Sequence, residues 1–296
     1  MLESPPRVSV IVPVYNAENF LPRLIASLRA QTYPRKLVEI IMVDNLSTDR
    51  SAETIAALPD VQALSQTEYR TPGATRNAGI RAATGDVLAF IDADCRASAD
   101  WLARGVAALE AGPDRVAGRV EFAMSAHPNL YEIFDAAVNF GQADFVSRGW
   151  SGTGNLFVRR GLFDELGLFD PALRSAEDCE FGLRAAAAGK TLAYEPRAVV
   201  RHDARRTFMS LLKKWIRTEY GAAQAWRRHG IQELHLWTKK ANYRPLPGAW
   251  KSFPPEVRAN PRMRLAVSLL TNILRYAGNF GNFLGYFGLG QIGLGE

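Results

Sequence analysis

The stretch "FIDADC", residues 90–95, places two carboxylates, Asp92 and Asp94, one residue apart at the end of an apolar run. Neighbouring like charges raise each other's pKa, so both stay ionised only if a cation is shared between them. A hard divalent ion meets that need. Mg²⁺ takes one or two carboxylates together with substrate phosphates, so this pair is too sparse for a standing structural ion and suits one that arrives with a diphosphate. A third acid, Asp44, ends another apolar run in "IIMVDN". A second pair, Glu177 and Asp178 in "AEDCE", opens a helical stretch, where carboxylates commonly answer the helix dipole.

These acids need elements to position them. "RVSVIVPV" and "KLVEIIMVD" read as β-branched strands, each followed by a helical stretch. "VQALSQ" is a weaker strand. "TPGATRNAGIRAATG" is a helix opened by Pro72 and closed by Gly85, and "DVLAFID" a buried strand behind it. Strands alternating with helices predict a parallel, doubly wound sheet whose ligands bind at the carboxyl ends of the strands. Asp44, Asp92 and the loop at Tyr15 and Asn16 all lie at such ends, so three strand ends converge on one crevice.

Charge divides the chain. Residues 1–200 hold 20 Lys/Arg against 25 Asp/Glu, and residues 201–296 hold 16 against 5. The basic part seeks a polyanion: nucleic acid, anionic lipid or a phosphorylated substrate. Cys95 and Cys179 supply neither a metal site nor a disulfide framework, which fits a reducing compartment. The opening "MLESPPRVSV" lacks the basic and apolar regions of a signal peptide.

The motifs "VSVIVPVYNAENFLPRLIASL", "IIMVDNLSTDRSAE", "TPGATRNAGIRAATGDVLAFIDADC", "GTGNLFVRR" and "AEDCEFGLRAAAAGKTLAYEPRAVVRH" occur in an order and spacing that resembles the family-2 glycosyltransferases. The likeness covers about residues 7–203. It implies the GT-A fold, a doubly wound, Rossmann-like mixed sheet with helices on both faces. Residues 1–205 would form the catalytic domain, and 206–296 a helical, basic and apolar extension.

The resemblance also assigns roles. Pro13, Tyr15, Asp44 and Asn45 would hold the nucleotide base, a carboxylate accepting the imide N–H of uracil. Arg76 would lie near the diphosphate or ribose, and Asp92 near the ribose or a metal-bound water. Asp94, with Asp92 and His202, would hold the Mg²⁺ or Mn²⁺ that bridges the phosphates. The inverting displacement needs a base, which the family pattern assigns to Asp178, with Glu177 beside it for support or acceptor binding. Gly152, Gly154 and Asn155 would floor the acceptor site.

The expected reaction moves one sugar from a nucleoside diphosphate sugar, foremost a UDP-sugar, to a hydroxyl on a glycan or lipid-linked cell-envelope precursor. The Gln-x-x-Arg-Trp signature of the processive polysaccharide synthases is absent from the sequence, which favours single transfer. Rivals fare less well. Sugar nucleotidyltransferases and dinucleotide-dependent oxidoreductases need glycines after the first strand, and "VPVYNAE" has none. A membrane-tethered, non-catalytic nucleotide-sugar or lipid binder would have no use for Asp92, Asp94 and Asp178 together.

The tail is expected at a membrane rather than on nucleic acid, for which no motif appears. Arg205, Arg206, Lys213, Lys214, Arg217, Arg227 and Arg228 could meet anionic headgroups on the cytoplasmic face. Beyond them, Tyr276, Phe280, Phe283 and Phe287 share one helical face, while Gly278, Gly281, Gly285 and Gly288 share another. Glycine at that density makes a poor helix in water and suits close packing in lipid. The five prolines of "NYRPLPGAWKSFPPEVRANP" predict an irregular linker before it.

Overall fold

In the computed structural model, residues 4–138, 141–230 and 253–288 are described. The chain begins with β1 (Val8–Val14), α1 (Leu21–Arg29), β2 (Val38–Asp44), α2 (Ser51–Ala56), β3 (Gln62–Ser65), α3 (Pro72–Ala82) and β4 (Val87–Ile91). It continues through β5 (Cys95–Ala97), α4 (Trp101–Glu110), β6 (Arg115–Ala123), α5 (Leu130–Val138), α6 (Gln142–Ser147), β7 (Asn155–Arg159) and α7 (Gly161–Leu166). After α8 (Glu177–Ala187) and β8 (Leu192–Asp203) come three helices, α9 (Phe208–His229), α10 (Pro255–Ala259) and α11 (Pro261–Phe287).

The strands form one eight-stranded sheet in the order β3-β2-β1-β4-β7-β6-β8-β5. β1 pairs in parallel with β2 and β4, and β2 with β3. The parallel pairing that alternation predicts stops there, and the sheet is mixed, as the resemblance implies. β7 runs antiparallel to β4 and to β6, and β5 antiparallel to β8. Alternation of helix and strand does not set strand direction, and after β6 the chain passes through α5 and α6 and re-enters the sheet from the other end.

β1 and β4 are apolar and buried almost throughout because helices cover both faces of the sheet. One face packs Val8, Val10, Ile40, Ala89 and Phe157 with Leu24 of α1 and Trp101 of α4. The other packs Ile11, Ile41 and Phe90 with Phe163 of α7 and Phe181 of α8, the last two rings stacked at 4.6 Å. Pro13 is tolerated in a central strand because the β1–β4 ladder has ended by then, at Ile11.

The chain condenses into two compact units. One holds the sheet and most of the strand-end loops, and the other is built from the segments that begin at Phe122, Leu173 and Asp203. The core of the second unit gathers Phe134, Leu211, Val257, Val267, Leu270 and Leu274. α10 is a helix inside the stretch expected to be irregular, since Pro255 sits at its first position, where a missing N–H costs nothing. The rest of that stretch, 242–252, lies outside the described residues.

Three of the expected headgroup cations face acids of their own unit. Arg205 and Lys214 lie 3.3 and 3.4 Å from Asp135, whose side chain is fully buried. Burial, and then the Arg205 charge, push the Lys214 ammonium down to about 7, with Asp135 opposing. Arg206 lies 3.8 Å from Glu132. The glycine face of α11 likewise meets protein: a Cβ on Gly281 or Gly285 would collide with the carbonyls of Ile216 and Tyr220 on α9. Among the described residues, no helix is long and apolar enough to cross a membrane.

Candidate functional site

The carboxyl ends of β1 and β2 are held in register, Val14 opposite Asp44, and the Asn45 N–H donates to the Val14 carbonyl at 2.8 Å. The loops beyond are stitched together. Asn16 Oδ1 accepts the Thr48 N–H at 2.8 Å, and the Ala17 N–H donates to Ser51 Oγ at 2.8 Å. Such bonds hold Asn16 and Leu46 at φ of 45° and 60°, a left-handed backbone that side chains rarely adopt. Pro13 and Tyr15 are half-buried beside them.

Asp44 is 5% exposed. Its Oδ2 accepts the Ser47 N–H at 3.2 Å, whereas Oδ1 has no hydrogen-bond partner among the described residues. Asn45 Oδ1 is also unpartnered. A buried acceptor without a donor costs about 1–3 kcal/mol, so the end of β2 carries an unmet demand for an N–H.

Arg76 corrects an expectation. Its guanidinium is buried on α3, where Nη2 donates to Asp92 Oδ1 and Nη1 to Glu177 Oε1, each at 2.7 Å. Burial works against its charge, but Asp92, Glu177 and Asp178 outweigh it and hold the pKa above the ordinary value. With both outer nitrogens engaged it is a brace between two acids rather than an open fork for phosphate, while Nε has no hydrogen-bond partner among the described residues. Glu177, just as buried, is the other end of that brace, the supporting place expected beside Asp178.

Asp94 and His202 meet because β5 and β8 pair Cys95 with His202. His202 Nε2 lies 3.1 Å from Asp94 Oδ2, the histidine buried and the aspartate a third exposed. One carboxylate and one imidazole suit a divalent ion of the Mn²⁺ type better than Mg²⁺. Among the described residues, no group of three or more His, Cys, Asp or Glu is arranged to hold a metal. The donor set therefore fits an ion whose remaining positions come from water and substrate phosphate. Cys95 and Cys179 are both buried thiols without a disulfide.

Asp178 sits in the first turn of α8, directly after Ala176, held at φ of 69°, and Glu177. The backbone N–H of Cys179 donates to its Oδ1 at 2.8 Å and that of Thr153 to its Oδ2 at 3.4 Å. Burial, and then the charge of Glu177, raise its pKa to about 7, with Arg76 and the two N–H groups pulling the other way. Glu180, one turn on, is spent on a two-point pair with Arg184 at 2.8 Å.

The glycine-rich turn before β7 lies against this acid through Thr153. Gln142 of α6 fixes it, accepting the Gly152 N–H at 2.8 Å and donating to the Gly152 and Asn155 carbonyls. Gly152 and Gly154 are buried in that turn. Asn155 is a second correction. Its side chain accepts from Trp101 Nε1 and donates to the carbonyls of Arg119 and Ala198, so it is a packing post for the sheet and not a sugar ligand. Gly118 leaves room for it, since a Cβ there would strike the Asn155 amide. Thr153, Leu46, Ala176 and Gln142 escaped sequence reasoning; the first three stand inside quoted motifs, where residue type gives no sign of a backbone hydrogen bond or a left-handed φ, and Gln142 lies outside them.

Two family descriptions match, "Glycosyl transferase family 2" over residues 9–161 and "Glycosyl transferase family group 2" over 87–289. Glycosyltransferase AglE of Haloferax volcanii is 35% identical over 248 residues, which cover 80% of this chain and 81% of that protein. A Mycobacterium tuberculosis pre-mycofactocin glycosyltransferase is 28% identical over 230 residues, covering 74% of this chain but only 47% of that protein. Among solved structures, mannosyltransferase PcManGT of Pyrobaculum calidifontis, in complex with GDP-Man and Mn²⁺, superposes with a TM-score of 0.67 at 21% identity, covering 95% of this chain and 88% of its own. Staphylococcus aureus TarS 1–349 in complex with UDP-GlcNAc gives 0.55 at 19%, covering 95% and 89%. At those identities the structures establish the shared fold alone. Sequence kinship carries the rest: the motifs that converge on this crevice lie within the matched stretches, and the chain belongs to glycosyl transferase family 2.

Proposed function

We propose that the protein transfers a single sugar from a nucleoside diphosphate sugar to a hydroxyl of a lipid-linked glycan or cell-envelope precursor, with inversion at the anomeric carbon. The observation that carries this reading is Asp178. It is a carboxylate tuned close to neutrality, tied through Glu177 and Arg76 to the Asp92 end of the donor-side strand. A protein that only bound nucleotide sugars would gain nothing from such a base.

The unpartnered oxygen of Asp44 would accept an N–H of the base, and Asp94 with His202 would hold Mn²⁺ or Mg²⁺. A bound ion there supplies positive charge to the departing diphosphate. Asp92 keeps one oxygen for the ribose or for water. Asp178 takes the proton of the acceptor hydroxyl while that oxygen bonds to the anomeric carbon. The bond from that carbon to the phosphate oxygen breaks on the opposite side, its electron pair leaving with the diphosphate. Uracil remains the first choice of base, because a single unpaired carboxylate oxygen matches its single imide N–H. GDP-Man in PcManGT and UDP-GlcNAc in TarS make GDP and UDP the two donors to compare.

Thermal unfolding with UDP, GDP and dTDP, each with and without Mn²⁺, tests the donor side. A nucleotide at a hundred times its Kd stabilises by about 2.7 kcal/mol, a rise in Tm of about 5 °C. Asp94→Ala should abolish both the Mn²⁺-dependent part of that rise and the release of nucleoside diphosphate from the matching nucleotide sugar. Unchanged values for both would defeat the reading.

A further inference from the structure

α11 is apolar on two sides. Its inner side, with Leu270, Leu274, Gly278, Gly281 and Gly285, is used up against its own unit, chiefly α9. Its outer side is left largely uncovered by the described residues. From Leu265 a line of exposed side chains runs through Leu269, Ile273, Tyr276, Phe280 and Phe287, with Tyr276 70% and Phe280 56% exposed. At 1.5 Å per residue this stripe is about 33 Å long, too much contiguous apolar surface to leave in water.

We infer that this outer stripe is the surface by which the protein lies on an anionic lipid bilayer, α11 in the plane of the membrane and its aromatic side chains in the acyl boundary. Charge selects that occupant. α11 contains no acidic residue, and Arg262 and Arg264 are exposed at its start. At its other end Arg227 of α9 donates to the Tyr286 carbonyl at 3.2 Å, with Arg228 exposed beside it. Cations thus stand at both ends of the stripe. That is the pattern of an interfacial helix, apolar on one face and basic at its margins. A second copy of α11, in either direction, would bring arginine against arginine, and α11 itself offers no acid between them. Asn272, Arg275, Asn279 and Asn282 interrupt the apolar character, so the helix rests on the bilayer instead of crossing it.

The inference stands on α11 and α9 alone and holds whichever sugar is moved. Its test uses the full chain. Co-sedimentation is measured with phosphatidylcholine vesicles and with vesicles that also contain about one-third phosphatidylglycerol, the lipid that supplies the negative surface potential. The protein should bind the anionic vesicles. Phe280→Asp with Phe287→Asp should weaken that binding about 100-fold or more, and Arg262→Ala with Arg264→Ala about tenfold or more on anionic vesicles only. All four side chains are exposed, so Tm and its nucleotide-dependent rise should not move, and loss of this inference stays separate from loss of the donor site. As a second readout, Phe280→Trp should add emission that shifts to the blue on anionic vesicles and is quenched by brominated lipid. A wild-type protein that ignores both vesicle types would overturn the inference. So would equal binding to neutral vesicles, or a lipid-free dimer that Phe280→Asp dissolves.

Discussion

Arg76 is one buried guanidinium shared by two acids, and its placement decides what each acid can do. By pairing with Glu177 it keeps a second negative charge beside Asp178, and that charge, after burial, lifts Asp178 to about 7. Below that pH the base carries a proton, so kcat/KM should fall about tenfold per pH unit on the acid side. Glu177→Gln removes the raising charge and leaves Arg76 closer to being Asp178's alone. The acid limb of the pH profile should then move to lower pH, with a lower plateau from a weaker base. A limb that stays in place would show that Glu177 does not tune Asp178. The acids themselves were visible in the sequence, because a strand-end Asp-x-Asp and a helix-start Glu-Asp are local patterns. Arg76 was placed near the diphosphate or ribose and Asn155 at the floor of the acceptor site because a resemblance carries residue type and position, never which neighbour has already taken the hydrogen bonds.

Between α9 and α11, close backbone approach leaves little room for a charge, yet Glu219 lies there 8% exposed with Oε2 unpartnered. Burial raises its pKa from 4.5 to about 7, with hydrogen bonding to Asn282 opposing. The native protein therefore binds a proton between those values that the unfolded chain has released, and stability falls as pH rises from about 4.5 through 7. Glu219→Gln should be more stable than wild type by about 3 kcal/mol at pH 8, a margin that closes below about pH 4.5. Denaturant melts at the two pH values measure it; an equal margin at both would refute the assignment. The helical extents of α9 and α11 were legible from periodicity. The use of the glycines was not: a small-residue face looks the same whether its partner is a helix of the same chain or one in lipid.

At the scale of the molecule, the five ordered motifs made the family, the parallel half of the sheet and, through the resemblance, its mixed character readable. Alternation alone did not show the antiparallel half, since strand direction depends on where α5 and α6 carry the chain. Those helices also bear on how the protein can be cut. α5 belongs to the same unit as α9 and α11, so a chain ending at residue 205 would strip Lys214 from Asp135 and Leu211, Val267 and Leu274 from Phe134. Asp135 would keep Arg205, so the greater loss is the apolar cover of Phe134, at about 1.5–3 kcal/mol for each large side chain left in water. Such a fragment should therefore be recovered as aggregate, or melt well below the full chain in the same buffer. A soluble fragment with the full-length Tm would show that the segment from Phe122 needs no helical partner.

Ala176 bears on any attempt to make a hardier enzyme. Glycine there would relieve a left-handed strain of about 1 kcal/mol, and a screen for heat tolerance would welcome the exchange. The same exchange would loosen the backbone two residues before Asp178, so on the proposed mechanism the sturdier variant should be the slower one, and durability and turnover would be traded at a single carbon atom.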